Sequence, residues 1–137
     1  MKNNEVKQLN GVALAYMGDA IYEVYVRRFI LEKGVWRPTQ FHHRAKHYVS
    51  AVAQSEIFKK MEIENFLTED ELSVFRKGRN AQSHTKAKNT DTKTYAISTG
   101  FEAMLGYLYL SEKTDRLEEL IQFCFENTEW IEKYDPR

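Results

Sequence analysis

YAISTGFEAMLGYLYL, residues 95–110, decides how this chain is read. Apolar side chains occupy almost every helical position and no proline interrupts them, so the stretch predicts a helix inside a core. Glu102 stands in its middle, between Gly100 and Gly106. LAYMGDAIYEVYV, residues 14–26, repeats the pattern with Asp19 beside Gly18. A lone buried carboxylate costs several kcal/mol unless it is paired, protonated or bound to a cation. Two such helices should cross at the core, with the glycines allowing close approach. Two carboxylates converging on Mg²⁺ is the simplest use of the pair. That ion takes oxygen ligands and keeps several waters, so one or two carboxylates suffice where the metal is shared with a phosphate. Structural ion pairs with Lys or Arg remain the alternative use of both acids.

Working outward, the 137 residues suit one domain. With only 6 Gly and 2 Pro, turns are too few for a many-stranded architecture. The expectation is a single-domain, all-α bundle of about five to seven helices. A first helix should run from about Gly11 to Lys33, apolar on nearly every face and therefore central, with Gly34 as its left-handed stop. Pro38 opens a second helix reaching about Lys60, and residues 62–67 connect it to the next. Thr68 and Glu71 form a capping box for a third helix, which Gly78 interrupts or ends. After the Glu102 helix, Thr114 or Asp115 should cap a last amphipathic helix whose apolar residues extend to Trp130 and Ile131.

Cys124 is the sole cysteine, which excludes a disulfide framework within one chain. The first ten residues are polar, and no stretch reaches the length of a membrane span. A cytoplasmic setting without membrane contact is the expectation. No glycine-rich phosphate loop is present, and no Cys–His or Ser–His pairing has local support, so nucleotide hydrolysis and acyl transfer lack a basis.

Net charge is zero, yet unevenly spread. Residues 76–93 carry Arg76, Lys77, Arg79, Lys86, Lys88 and Lys93 against Asp91 alone, a net +5, whereas residues 111–137 hold eight acids and four bases. Such a basic strip suits a polyanion. Its cations can neutralise phosphates, and Asn80, Gln82, Ser83, His84, Thr85, Asn89 and Thr90 add polar groups for phosphate or ribose oxygens. Few aromatics interleave them, which favours the backbone of a duplex over stacked single-stranded bases. A plain solvated face is the commoner fate of a charge run. His43 and His47 share a helical face, but Arg44 and Lys46 crowd them and no third ligand has suitable spacing for zinc. The tyrosines, Tyr16 among them, are most simply core or subunit-contact residues.

ALAYMGDAIYEVYV, residues 13–26, resembles the first acidic motif of the ribonuclease III catalytic domain, and STGFEAMLGYLYL, residues 98–110, resembles its second. Residues 77–103 are similar to the Mini-ribonuclease III branch, a stand-alone catalytic domain. The resemblance implies a Mg²⁺-dependent endoribonuclease that cuts double-stranded RNA to 5′-phosphate and 3′-hydroxyl ends. Asp19 and Glu102 would be catalytic and hold the metal. Ribosomal RNA precursor of the large subunit is the implied substrate, a ribosomal protein a possible aid in presenting it, and a homodimer the implied assembly, with Tyr16 a candidate contact. No separate RNA-binding domain is expected, so the residues of strip 76–93 would do more of the holding. Where ordinary members carry a Glu four residues before the Asp, this chain has Ala15. Where they carry an Asp three residues before the Glu, it has Thr99. Waters, Thr99 or substrate oxygens would fill those places, with Glu23 as an outer support. An inactive duplex-RNA-binding protein on the same fold is the alternative, and a helical interaction protein the remaining one.

Overall fold

The computed structural model describes residues 1–81 and 91–130, and these form seven helices and no strand. They are α1 (Asn3–Lys7), α2 (Gly11–Glu32), α3 (Pro38–Val49), α4 (Ala51–Ile63), α5 (Glu69–Arg79), α6 (Thr92–Leu110) and α7 (Thr114–Glu126). The all-α expectation holds, at the upper end of the expected number.

Local chemistry sets most of the boundaries. Asn10 starts α2 by accepting the Ala13 N–H at 2.8 Å, and Gly34, at φ 84°, lets the chain turn away beyond its end. Thr68 and Glu71 complete a reciprocal capping box at α5, and Asp91 caps α6 through the Thr94 N–H. Two of the expected boundaries need correction. The helix expected over residues 38–60 is two helices, because Ser50 adopts an extended conformation (ψ 155°) and its hydroxyl caps α4 at the Ala53 N–H. Neither Thr114 nor Asp115 caps α7. Both lie in its first turn, behind Lys113, which occupies the cap position without a side-chain hydrogen bond. Trp130 lies beyond the end of α7 and packs edge-on against Phe29.

The central helix is α6, not α2. It packs against α1, α2, α4, α5 and α7, and Phe101, Met104, Leu105, Tyr107 and Leu108 are all buried. By contrast, α2 leaves Val12, Tyr16, Ala20 and Val24, spaced one turn apart, exposed to solvent.

Two glycine contacts set the depth of packing. A Cβ added at Gly18 would overlap the Glu102 carbonyl oxygen, and one at Gly106 would overlap that of Leu14. The backbones of α2 and α6 therefore touch, in antiparallel sense. Gly78 does not interrupt α5, which ends one residue later at Arg79; an ideal Cβ at Gly78 would lie 2.9 Å from the Gly100 Cα, so α5 also approaches α6 backbone to backbone. No helix among the described residues is long and apolar enough to cross a membrane.

Candidate active site

The Gly18–Gly106 seam brings the two acids of the sequence together. Gly18 rests on the backbone of Glu102, so Asp19, the next residue, emerges beside the Glu102 side chain. The two carboxyls are within hydrogen-bonding reach of each other. Their environments differ from the expected pair of buried acids. Glu102 is partly buried, but Asp19 is exposed. One residue along a helix is a rotation of about 100°, so Gly18 faces the seam while Asp19 faces its flank.

Glu102 is the perturbed group. Burial first, and then the charge and hydrogen bond of Asp19, push its carboxyl up to about 8 from an ordinary 4.5. The Gln54 amide opposes this by donating its Nε2–H to Glu102 Oε2 at 3.2 Å, and Glu23 adds a further repulsion. Neither Asp19 nor Glu102 has a cationic partner among the described residues. The ion-pair alternative therefore finds no support there. Among the described residues, the ion pair with a buried carboxylate lies elsewhere, between Glu71 and the partly buried Arg116 at 2.8 Å.

The positions where acids are missing are filled by groups with other uses. Ala15 is buried in the core, and the Thr99 hydroxyl donates to the Tyr95 carbonyl at 3.0 Å. Glu23 is engaged by Arg27 at 3.1 Å while still facing the pair closely enough to act on Glu102. Among the described residues no cluster of three or more His, Cys, Asp or Glu side chains is arranged to hold a metal. What exists is two oxygen donors, one open to solvent, with no balancing cation among the described residues. That donor set fits a hard cation that retains most of its water.

Of the basic strip, Arg76, Lys77, Arg79 and Asn80 are exposed at the end of α5. Arg79 folds over the Phe75 ring at 5.7 Å and donates to Asn80, and Lys77 donates to the Lys7 carbonyl at 2.6 Å. Ser83, His84, Lys86, Lys88, Asn89 and Thr90 lie outside the described residues. Tyr16 is 80% exposed, and a groove lined by Val12, Tyr16, Lys77 and Ala81 joins its face to the start of the strip. His47 spends a ring nitrogen on the Glu129 carbonyl oxygen at 2.8 Å.

Sequence reading missed Gln54 and Arg116. A neutral amide in a helix carries no recognisable pattern, and Arg116 meets Glu71 across 45 residues of chain.

The described residues thus form an all-helical bundle with an acidic pair at its central crossing. The Ribonuclease III domain model matches residues 12–113. A Mini-ribonuclease 3 of Enterococcus faecalis is 51% identical over 120 residues, covering 88% of this chain and 91% of that protein. A Mini-ribonuclease 3 of Streptococcus pneumoniae is 47% identical, covering 91% and 98%. A crystal structure of a Fusobacterium nucleatum protein superposes with a TM-score of 0.78 at 26% identity, covering 92% of this chain and 98% of that one. The chain belongs to the ribonuclease III family, in its Mini-ribonuclease 3 branch, and is an endoribonuclease by that membership.

Proposed function

We propose that Asp19 and Glu102 are the carboxylates with which this endoribonuclease cleaves double-stranded RNA, maturing a large-subunit ribosomal RNA precursor. The observation that carries the reading is the uncompensated charge at their meeting point. Glu102 is desolvated beside a second carboxylate, and no cation among the described residues balances the pair. Side chains placed in this way hold a cation, and their positions on two touching helices keep them fixed relative to each other. Mg²⁺, when bound by Asp19 and Glu102, supplies Lewis acidity for the attacking water and the leaving oxygen, giving a 5′-phosphate and a 3′-hydroxyl.

Asp19, on the open flank of the seam, faces the incoming phosphodiester, and Glu102 anchors the site from within the core. Arg76, Lys77, Arg79 and Asn80, continued by Ser83, His84, Lys86, Lys88, Asn89 and Thr90, hold the duplex by phosphate and ribose. An A-form helix exposes those groups and hides its base edges in a deep groove. Two copies assemble through the stripe of Val12, Tyr16, Ala20 and Val24 on α2, each cutting one strand. The exposed apolar line supports this assembly, and Tyr16→Glu is expected to give monomers by light scattering. The RNA precursor sets the place of action as the cytoplasm, and a ribosomal protein bound to it is a candidate for presenting the duplex.

The test is a gel of structured ribosomal precursor RNA with Mg²⁺, running wild type beside Asp19→Asn and Glu102→Gln. Discrete staggered cuts by wild type should fall by about a thousandfold or more in both variants, while the mobility shift with RNA persists. Cutting by either variant at the wild-type rate refutes the assignment. Intact RNA in every lane, with a shift, would indicate a binding module.

A further inference from the structure

Gln54 is almost completely buried, at 1% exposure, yet it is polar and lies one helix away from the acid pair. Its Nε2 donates twice, to the Val49 carbonyl at 3.1 Å and to Glu102 Oε2 at 3.2 Å. Both partners are acceptors when Glu102 is ionised, so only the NH₂ end of the amide can face them. The Val49 bond fixes the plane of the amide and aims its second hydrogen at the carboxylate. On the other side, Gln54 Oε1 is buried with no hydrogen-bond partner among the described residues. A buried unsatisfied acceptor costs roughly 1–3 kcal/mol, a penalty that leucine at the same depth would avoid. Packing therefore does not explain the residue, whereas its donor does.

The carboxylate receiving that bond is the inner member of a pair that lacks the acids expected at Ala15 and Thr99. With so few donors, the orientation of each matters more. Outer groups that hydrogen-bond a ligating carboxylate hold its orientation and tune its affinity for the metal. We propose that Gln54 is a positioning residue of the acid pair, holding Glu102 Oε2 from α4 so that the ionised carboxylate is presented to the cation in one orientation. This inference rests on the reading of Glu102 as a metal-holding group.

The experiment is calorimetric titration of the metal-free protein with Mg²⁺ alone, using wild type, Gln54→Leu and Glu102→Gln, with duplex-RNA affinity measured in parallel in EDTA. Gln54→Leu should weaken Mg²⁺ binding by about tenfold or more, within the range seen for outer partners of metal ligands. Its RNA affinity should not change. In cleavage assays its kcat should recover as Mg²⁺ is raised, with KM for RNA unaltered. A residue that merely supports α4 would instead weaken RNA binding and cleavage at every Mg²⁺ concentration, which would overturn the proposal. Gln54→Met, closest in length without a donor, carries the same test where Gln54→Leu does not fold. Wild-type Mg²⁺ affinity in Gln54→Leu, with affinity lost in Glu102→Gln, refutes the role of Gln54 and leaves that of Glu102 standing. Wild-type affinity in Glu102→Gln refutes the reading of Glu102 itself.

Discussion

Two glutamates of this molecule lie in or near its core, and they have been treated in opposite ways. Glu71, at 3% exposure, receives the Arg116 guanidinium through two bonds of 2.8 and 2.9 Å and also closes the capping box of α5. Burial pushes its carboxyl up, but the Arg116 and Thr68 hydrogen bonds outweigh burial and hold it below the ordinary range. Glu102 receives one amide and faces another acid, and its carboxyl is pushed up to about 8. A compensated buried acid holds α5 to α7 and asks for nothing more. An uncompensated one at a close helix crossing is, on the function proposed above, the place for a cation.

Several measurements can break or sharpen this contrast. The largest effect on stability is expected at the seam that creates the acid pair. Gly18→Ala sets a methyl group against the Glu102 backbone, which cannot yield as a side chain would. It should cost about 3 kcal/mol in urea unfolding and also separate the two acids, so cleavage falls in the fraction that remains folded.

Arg116→Met comes next. It strands a buried carboxylate and removes the bond to the Phe66 carbonyl at 2.6 Å. About 2–3 kcal/mol of stability should disappear, discounted because Arg116 keeps some contact with solvent. RNA cleavage by the folded fraction should be unchanged.

The pH dependence of melting should show the two acids with opposite signs. Folded Glu102 keeps its proton up to about 8, whereas the unfolded chain releases it near 4.5. Between those values the folded state binds more protons, so stability falls as pH rises. Glu71 behaves in reverse: its folded value lies below the unfolded one, so its contribution is present at neutral pH and is lost on acidification below about 4.5. Scanning calorimetry in EDTA should therefore show a decline from pH 5 to 8 that Glu102→Gln removes. Added Mg²⁺ should remove it as well.

The smallest effect concerns the strip. Lys86→Gln with Lys88→Gln should lower the salt slope of RNA binding by about one per charge, leaving melting untouched. An unchanged slope would take both lysines out of the interface.

Much of this contrast was legible in the chain. The apolar run around Glu102 and the glycines at 18, 100 and 106 announced a helix crossing, because small residues inside an apolar helix have few other uses. The charge imbalance of residues 76–93 was equally plain, but Lys86 and Lys88 at its centre lie outside the described residues. What could not be read was orientation. Asp19 lies in the same apolar run as Gly18, yet one step of helix rotation takes it out to solvent. The apolar residues of α2 suggested a central helix, but apolarity alone does not tell a core face from a stripe left open, as Val12, Tyr16 and Val24 are. Ser50 looked like an ordinary helical residue until its hydroxyl proved to be a cap. Gln54 and Arg116 act across long separations in sequence, where local periodicity has nothing to say.

The most direct test of the contrast sets Glu102→Gln and Arg116→Met side by side, with melting and RNA cleavage measured on the same samples in Mg²⁺ at pH 8. Glu102→Gln should cut no RNA while its metal-free form melts at or above the wild-type temperature, and Arg116→Met should melt lower and cut at the wild-type rate below its transition. Cleavage by Glu102→Gln at the wild-type rate, or a collapse of its fold with Arg116→Met unaffected, would contradict the account.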